Sequence, residues 1–517
     1  MKIGMAYIKG ALPGFETFGN LPTDLVKPNG FVNGVEASKE LDGLIIPGGS
    51  IIESQSLSDD LAIQIKKMAA DGKFILGICS GFQVLANKTD VGRNSPSPIV
   101  HNGLGLLDLE FSPFISTDRV EAIVNNDSFI TNGVDKVFGF HCHTYGKIEN
   151  NNEKEIIYSP IKRANYSNVD FNQLSGVIND DGNIVGTMIH GMLDNNPKII
   201  ENVFNFLDAN ENDINDIYNK NKSFKIAINN QLGIDTNINI EKDNKFINNF
   251  KNHFNLNNIY DNDKNNKNDI PPTLFIGSQS SDSGKTFITT GIAAALKKRG
   301  LKVAILKIGS DIRDTLPGIY MTNELMEDFA SIKIGNLGWL EIDNVLNALK
   351  DFNNNDYDVV LIEGAMSVLI GILKDIIPYS GAEIALSSNI PLLLVSNVSK
   401  GGIESSAIDL ANHIKFLKKI GLKVNGAILN RVYDFDLVDK VKTYIKKETN
   451  IDIQAIGKAT LAERGGTPEV EINLEDFALT ALNTIEKYLD LEKIVQMAEI
   501  PHFDGYLSMQ EINNLFK

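Results

Sequence analysis

The stretch FILGICSGFQ (residues 74–83) decides the fold of the first half of the chain. Its first five residues form an apolar run that predicts a buried β-strand, and the residues after Cys79 open a helix. Gly77 and Gly81 flank the cysteine and allow the close backbone approach that a tight strand-to-helix turn needs. The thiol is therefore predicted to lie on a strained elbow, where the start of a helix favours the thiolate.

Residues 1–200 alternate short apolar runs with amphipathic stretches. Strands are predicted at Ile3–Ile8, Leu44–Ile46 and Phe74–Ile78, with a helix at Leu57–Ala70 between the last two. This alternation predicts a parallel sheet covered by helices.

A second α/β pattern begins at Thr273. Its apolar strands are nearly continuous, which is typical of sheets that are buried on both faces, as in doubly wound folds. The predicted strands are Thr273–Ile276, Lys302–Leu306, Asp358–Ile362, Pro391–Val395 and Val424–Leu429, and the predicted helices are Lys285–Lys298, Ile403–Lys418 and Leu479–Leu489. The chain is thus predicted to fold as two doubly wound α/β domains, at residues 1–205 and 271–517.

The connector between them, residues 206–270, is rich in asparagine, which fills 20 of the 61 positions from 210 to 270. Apolar residues from Phe246 to Ile259 predict a helix that packs on a neighbour. Asp261–Asp269 has nothing to bury and is the predicted linker.

Composition excludes several functional classes. With 49 Lys and Arg against 66 Asp and Glu, the net charge of −17 argues against a general nucleic-acid binder and against binding to an anionic membrane. Two cysteines in 517 residues provide no disulfide framework, so we expect a cytoplasmic protein. No run of apolar residues is long enough to span a bilayer. The sequence leaves open whether the chain forms a homodimer.

His190 is the predicted base for the Cys79 thiol. It follows the apolar strand Ile184–Ile189, so its imidazole can reach across strand ends toward the sulfur. Gly49, in the turn after the strand at Leu44–Ile46, and Ser80 offer backbone amides that would stabilise an oxyanion.

With these pieces, residues 1–200 resemble class I glutamine amidotransferase domains, in the branch of cobyric acid synthase and cobyrinic acid a,c-diamide synthase. The matching segments are IIPGG (45–49), GICSGFQ (77–83), GLGLLD (103–108) and GTMIHG (186–191). The resemblance implies a flavodoxin-like fold, attack of Cys79 on L-glutamine to give a γ-glutamyl thioester and ammonia, and a place for Gln83 in glutamine binding. Many members carry a Glu two residues after the histidine, where this chain has Met192, so the sequence does not identify what orients His190.

His141-Cys142-His143 offers a second cluster of polar side chains. Alternate residues of a strand share a face, so His141 and His143 could bind one metal ion, although no third ligand is evident. The alternative is that this segment lines the glutamine pocket.

SQSSDSGKT (278–286) lies between a predicted strand and a predicted helix, which is the setting of phosphate-binding loops. Amides of Ser283 and Gly284 would surround the β-phosphate of ATP, Lys285 would neutralise the β- and γ-oxygens, and Thr286 would bind Mg²⁺. Gly277 stands seven residues before Gly284, whereas the usual motif has five.

This half resembles the dethiobiotin-synthetase-like family of P-loop NTPases. KIGSD (307–311), LIEGAM (361–366) and ILNRV (428–432) match three of its segments in order. The resemblance implies that Lys307 contacts the transferred phosphate, that Asp311 and Glu363 join Thr286 around Mg²⁺, and that Asn430 reads the adenine edge.

Together the two resemblances imply an ATP-dependent, glutamine-hydrolysing ligase that amidates carboxylates on a tetrapyrrole such as cobyrinic acid, in cobalamin biosynthesis. The domain order is the reverse of the usual one in those synthases. Two alternatives stay open: amidation of a different acid, such as nickel sirohydrochlorin or a cell-wall lipid, and a regulatory P-loop ATPase with a vestigial amidotransferase domain.

Overall fold

The computed structural model describes residues 1–8, 10, 14–50, 57–92, 99–235, 242–254, 270–351, 357–398, 401–459 and 473–517. The predicted linker at 261–269 and the segment LAERGGTPEVEI (461–472) lie outside these residues. The chain divides into two compact units, one built around Met1–Asp235 and the other around Thr236–Glu463 and Asp476–Lys517. No helix within the described ranges has the length and apolar character needed to cross a membrane.

The first unit is rich in strands. They are β1 (Ile3–Ala6), β2 (Asp24–Val26), β3 (Phe31–Val32), β4 (Val35–Glu36), β5 (Gly43–Ile46), β6 (Phe74–Ile78), β7 (Lys88–Asp90), β8 (Val100–Asn102), β9 (Leu109–Ser112), β10 (Arg119–Val124), β11 (Lys136–Phe140), β12 (Lys147–Asn150), β13 (Lys154–Ala164), β14 (Ser167–Ile178) and β15 (Ile184–Thr187). Its helices are α1 (Ala37–Glu40), α2 (Asp59–Ala70), α3 (Ser80–Leu85), α4 (Pro197–Phe206) and α5 (Glu211–Asp235).

A nine-stranded sheet forms the centre of this unit, in the order β11-β10-β13-β14-β15-β6-β5-β1-β2. The strands from β15 to β2 pair in parallel, which confirms the predicted parallel sheet. Strands β11, β10, β13 and β14 extend the sheet by antiparallel pairing and were not predicted, whereas β15, with which β14 pairs, falls within the predicted strand Ile184–Ile189. Strand β10 alternates between exposed and buried residues, because one face of this part of the sheet is open to solvent. A search for continuous apolar runs misses such strands.

The second unit begins with α6 (Asn244–His253), whose Phe246 and Phe250 are buried. Its strands are β16 (Thr273–Ser278), β17 (Val303–Ile308), β18 (Ser331–Ile332), β19 (Val359–Glu363), β20 (Leu392–Asn397), β21 (Val424–Val432) and β22 (Ile453–Gly457). The remaining helices are α7 (Lys285–Lys298), α8 (Leu316–Thr322), α9 (Ile342–Asp351), α10 (Gly381–Ser387), α11 (Gly402–Lys419), α12 (Val438–Thr449), α13 (Leu474–Tyr488), α14 (Leu491–Val495) and α15 (Met509–Leu515).

All seven strands of the second unit pair in parallel, in the order β18-β17-β19-β16-β20-β21-β22. The predicted doubly wound α/β fold is confirmed here. The burial of every residue of β16, β17 and β19 explains why their sequences are nearly continuously apolar rather than alternating. Because the strands are parallel, their carboxyl ends meet at one edge, where ligands of this fold bind.

Candidate active site

Cys79 lies on the predicted elbow between β6 and α3. Its backbone has φ 52° and ψ −111°, a left-handed conformation that strains a residue with a side chain. The neighbouring glycines permit this turn because a Cβ at Gly81 would come within 2.1 Å of the Ile46 carbonyl oxygen. A Cβ at Gly77 would come within 2.6 Å of the Gly81 carbonyl oxygen. The two glycines of the motif are therefore required by the packing of the elbow.

The structure brings His190 to the thiol. Strand β15 runs parallel to β6 with Thr187 opposite Ile78, so both strands deliver the residues that follow them to the same edge. A Cβ built on Gly48 would lie 2.8 Å from His190 Cε1 and 3.3 Å from Cys79 Cβ, which shows how closely these three residues pack. All three are buried. The predicted base and nucleophile thus form one compact site.

Glu16 is a buried carboxylate at this site that the sequence motifs did not reveal. Its Oε1 lies 2.8 Å from His190 Nδ1, and its Oε2 accepts a hydrogen bond of 2.7 Å from the Gly191 backbone amide. Burial raises the pKa of Glu16, and the hydrogen bond with His190 opposes that rise. Burial by itself would lower the pKa of His190, but hydrogen bonds with Cys79 and Glu16 raise it to about 10. The imidazole is therefore protonated at neutral pH, as the partner of an anion.

One sequence signal could have located Glu16. It follows β1, a parallel strand in the same sheet as β5, β6 and β15, and the carboxyl ends of parallel strands share an edge. An acidic residue soon after β1 was therefore a candidate to meet His190. The position two residues after His190, where many amidotransferases carry a Glu, is occupied here by the buried Met192.

The predicted glutamine-binding residues lie around the elbow. Ser80 begins α3 and Gly49 follows β5, both at the sheet edge that carries Cys79. Gln83 is buried, and its side-chain nitrogen donates a hydrogen bond of 2.6 Å to the Tyr145 carbonyl oxygen. The roles of these three residues in binding glutamine or an oxyanion stay predictions.

His141 and His143 lie on the same side of their segment, with ring centroids 4.8 Å apart. His141 Nδ1 is 3.0 Å from the Ser116 hydroxyl, and His143 Nδ1 is 3.0 Å from the Phe114 carbonyl oxygen. Over the part of the chain that the structure describes, no three His, Cys, Asp or Glu side chains come together as a metal site. The Cys142 carbonyl oxygen lies 3.7 Å from Cys79 Sγ, so this segment borders the thiol.

The phosphate loop of the second unit connects β16 to α7. Gly284, the last residue before the helix, has φ 93°, a conformation that glycine adopts readily. Lys285 begins the helix, and its ammonium group donates hydrogen bonds to the Ser278 hydroxyl at 2.9 Å and the Met366 carbonyl oxygen at 2.8 Å. The lysine is therefore held at the strand ends, where a phosphate would bind.

A buried group of charges lies beside the loop. Lys307 Nζ contacts Asp314 Oδ2 at 2.5 Å and Glu363 Oε1 at 2.9 Å. The Thr286 hydroxyl donates a hydrogen bond of 2.7 Å to the same Glu363 oxygen. The structure thus unites three predicted residues, Thr286, Lys307 and Glu363, and adds Asp314, which the sequence analysis did not select.

The two lysines of this group have opposite electrostatic environments. Burial, and secondarily the charge of Lys307, lowers the pKa of Lys285 to about 8. Burial would also lower the pKa of Lys307, but Asp314 and Glu363 outweigh it and raise that pKa above its ordinary value. Burial raises the pKa of Glu363, while Lys307 opposes the rise. The ammonium group of Lys285 donates to a hydroxyl and a carbonyl oxygen, neither of them charged, so a bound phosphate would give it an anionic partner.

Asp311, a predicted metal ligand, has both carboxylate oxygens occupied by the Arg313 guanidinium, at 2.8 Å each. Burial opposes ionisation of this carboxyl, but Arg313 lowers its pKa below the usual value. Asp311 and Lys307 are therefore not direct partners in this conformation.

Asn430 lies against the phosphate loop. Its side-chain nitrogen donates a hydrogen bond of 2.9 Å to the Ser283 carbonyl oxygen, and a Cβ at Gly284 would come within 2.3 Å of that nitrogen. In this conformation Asn430 supports the phosphate loop, and its predicted role in reading the adenine edge stays a prediction.

The side chains at the loop fit a magnesium ion. Mg²⁺ binds oxygen ligands, usually one or two carboxylates or hydroxyls together with substrate phosphates. Thr286 and Glu363 offer such oxygens side by side, and Glu363 Oε2 is buried with no hydrogen-bond partner among the described residues. Asp311 would join them only after releasing Arg313.

Comparison with known proteins agrees with both halves of the site. Residues 12–198 match the CobB/CobQ-like glutamine amidotransferase domain, and residues 274–469 match the CobQ/CobB/MinD/ParA nucleotide binding domain.

Three curated relatives share part of the chain. A cobyrinate a,c-diamide synthase of Listeria innocua is 28% identical over 44% of this chain and 50% of its own length. One of Saccharolobus solfataricus is 29% identical over 44% of this chain and 50% of its own length. A cobyric acid synthase of Clostridium botulinum is 34% identical over 32% of this chain and 33% of its own length.

The chain spans about half the length, or less, of these curated relatives that it matches. The predicted resemblance to cobyrinic acid a,c-diamide synthase and cobyric acid synthase is confirmed. The chain therefore carries a match to the CobB/CobQ-like glutamine amidotransferase domain, followed along the sequence by a match to the CobQ/CobB/MinD/ParA nucleotide binding domain.

Proposed function

We propose that this chain is an ATP-dependent, glutamine-hydrolysing ligase that converts a carboxylate into an amide. The observation that carries the proposal is the coexistence in one polypeptide of a thiol–imidazole–carboxylate site and a phosphate loop with buried lysines. A carboxylate does not condense with ammonia at neutral pH, because its oxygen is a poor leaving group. Phosphorylation by ATP overcomes this, and ammonia must then be supplied as a nucleophile.

In the first unit, the Cys79 thiolate attacks the side-chain amide carbon of glutamine. His190 is charged beside the thiol and donates its proton to the departing nitrogen, so ammonia leaves and a γ-glutamyl thioester remains. The neutral imidazole then takes a proton from the water that cleaves the thioester. Glutamate leaves, and the thiolate–imidazolium pair is restored.

In the second unit, the acceptor carboxylate takes the γ-phosphoryl group of ATP, which gives an acyl phosphate and ADP. Lys285 and Lys307 hold the phosphate oxygens and neutralise the charge that develops on them. Mg²⁺, when held by Thr286 and Glu363, would supply further neutralisation of the phosphates. Ammonia displaces phosphate from the acyl carbon and forms the amide.

The acceptor that we propose is a tetrapyrrole carboxylate of the cobyrinic acid type, and the pathway is cobalamin biosynthesis. Support comes from the relatives, which are named cobyrinate a,c-diamide synthase and cobyric acid synthase.

The test uses the full-length chain with glutamine, ATP and Mg²⁺, and it measures glutamate release together with the mass of cobyrinic acid. We expect an increase in the acceptor mass that corresponds to conversion of a carboxylate to an amide. Cys79→Ser abolishes glutamate release but permits amidation from added ammonia, whereas Lys285→Ala abolishes amidation and leaves measurable glutaminase activity.

The alternatives give different results. Amidation of nickel sirohydrochlorin and not of cobyrinic acid would change the acceptor while retaining the chemistry. ATP hydrolysis without any thiol-dependent release of glutamate would refute the ligase and favour a regulatory ATPase.

A further inference from the structure

Glu16 touches the His190 ring from outside the four segments that carry the amidotransferase resemblance. We propose that Glu16 is the positioning residue of the glutaminase site, and that Asp194 holds the segment bearing Glu16 in place. This inference rests on the proposed glutaminase function and adds to it the carboxylate that the sequence lacks at Met192.

Glu16 and two aromatic rings fix the orientation of the His190 imidazole. Because Glu16 takes Nδ1, the other ring nitrogen, Nε2, is left to exchange protons with the Cys79 thiol. Two aromatic rings fix the plane of the imidazole: Phe140 is stacked on it with centroids 5.3 Å apart, and Phe15 meets it edge-on at 4.9 Å. Rotation of the ring would break the Glu16 bond and meet both aromatic neighbours.

Asp194 in turn supports the segment that carries Glu16. Asp194 accepts hydrogen bonds from the Thr17 backbone amide at 2.8 Å, the Thr17 hydroxyl at 2.6 Å and the Gly19 backbone amide at 2.6 Å. Glu16 in turn accepts a bond from the Gly191 amide. The segment of residues 16–19 and the turn of residues 190–194 therefore hold each other by bonds in both directions.

Charged and titratable groups around His190 also favour its pairing with Glu16. The titratable groups that act on His190 and its partner carboxylate are Cys79, Glu16, His141 and Asp194. His141 is buried, and its pKa is well below the ordinary value because of burial and its histidine neighbours, so it adds no positive charge at neutral pH. Burial raises the pKa of Glu16 and Asp194 adds to the rise, whereas the hydrogen bond with His190 opposes it. Of these two carboxylates, Glu16 is the one in direct contact with the imidazole.

The experiment compares Glu16→Gln, Glu16→Asp and Asp194→Asn with the wild-type full-length chain. Glutaminase rates are measured from pH 6 to 11, and alkylation of Cys79 by iodoacetamide is followed by peptide mass. Glu121→Gln serves as the control, because Glu121 is half exposed and pairs with the exposed Lys136 on the sheet edge.

We expect Glu16→Gln to lower kcat by about 100-fold and to leave KM for glutamine nearly unchanged. A loss of this size lies between those seen when a group that orients a metal ligand is removed and when the carboxylate of a catalytic triad is removed. The alkaline limb of this variant's pH–rate profile moves to lower pH, because the His190 imidazolium loses the negative charge of its carboxylate partner. Glu16→Asp returns the limb toward the wild-type position, since the charge is restored. Asp194→Asn lowers kcat by about 10-fold, and the control retains wild-type activity.

A Glu16→Gln rate within about threefold of wild type, or a reduced rate with an unmoved alkaline limb, would overturn the proposal. If Glu16→Gln does not fold, Asp194→Asn decides the matter, and a rate within about threefold of the wild type would overturn the proposal because a fall of about 10-fold is expected. The absence of Cys79-dependent glutamate release from the wild type would instead refute the proposed function, which keeps the two failures distinct.

Discussion

Replacing one or the other of the two buried lysines beside the phosphate loop by methionine should change the free energy of unfolding of the second unit in opposite directions. Lys285→Met is expected to stabilise the nucleotide-free second unit at pH 7, whereas Lys307→Met is expected to destabilise it. Both side chains are less than a tenth exposed, so solvent does little to screen their charges. The difference lies in their partners: Lys307 contacts two carboxylates, and Lys285 contacts a hydroxyl and a carbonyl oxygen.

The magnitude follows from the pKa values. The fall in the pKa of Lys285 from 10.5 to about 8 corresponds to a cost of about 3 kcal/mol for keeping this group charged in the folded unit. The cost is complete below pH 8 and fades as the pH rises from 8 toward 10.5, because the folded lysine is then neutral and the unfolded chain is stabilised less and less by binding a proton. Lys285→Met removes this cost, so its advantage of at most about 3 kcal/mol at pH 7 should be nearly lost by pH 10.

Lys307→Met has the opposite sign because it leaves the buried Glu363 carboxylate without its cation. Breaking a buried ion pair in this way costs about 3 to 5 kcal/mol. The chain has one tryptophan, Trp339, which lies in the second unit. Urea unfolding followed by its fluorescence therefore reports on this unit alone, at pH 7 and pH 10 and without nucleotide.

A Lys285→Met unit that is less stable than wild type at pH 7 would refute the reasoning. So would a stabilisation that is the same at pH 7 and pH 10, because it could not arise from the titration of Lys285. A stabilising effect of Lys307→Met would contradict the contrast between the two sites.

Three further outcomes follow from the same geometry. At pH 8.5, ATP binding should be accompanied by proton uptake, since phosphate raises the lowered pKa of Lys285; calorimetry in two buffers of different ionisation enthalpy measures it. Gly284→Ala should weaken ATP binding at least about 10-fold, because φ is 93° and the new Cβ would lie 2.3 Å from the Asn430 side chain; a titration with unchanged affinity would contradict this. Gly81→Ala should destroy the elbow and the alkylation of its thiol, because its Cβ would meet the Ile46 carbonyl oxygen at 2.1 Å; normal reactivity in a folded variant would show that the turn relaxes.

Most of the second unit could be predicted from sequence because its signals are local. The strand at Thr273–Ser278 and the helix at Lys285–Lys298 are marked by a continuous apolar run, a glycine-containing turn and a helical apolar pattern within 26 residues. The cysteine elbow was predictable for the same reason. The antiparallel strands of the first unit were not predicted, because alternating exposed and buried residues give a weaker sequence signal than a continuous apolar run.

By itself, the sequence determined two α/β units and the positions of the thiol, its base and the phosphate loop, since each lies at a turn whose residues are neighbours along the chain. Only the tertiary structure decided the charged partners. Glu16 meets His190 across 174 residues, and Glu363 meets Lys307 across 56, because parallel strands distant in sequence end at one edge of a sheet. Whether a carboxylate there pairs with an imidazolium, an ammonium or, like Asp311, a guanidinium depends on packing that no local pattern encodes.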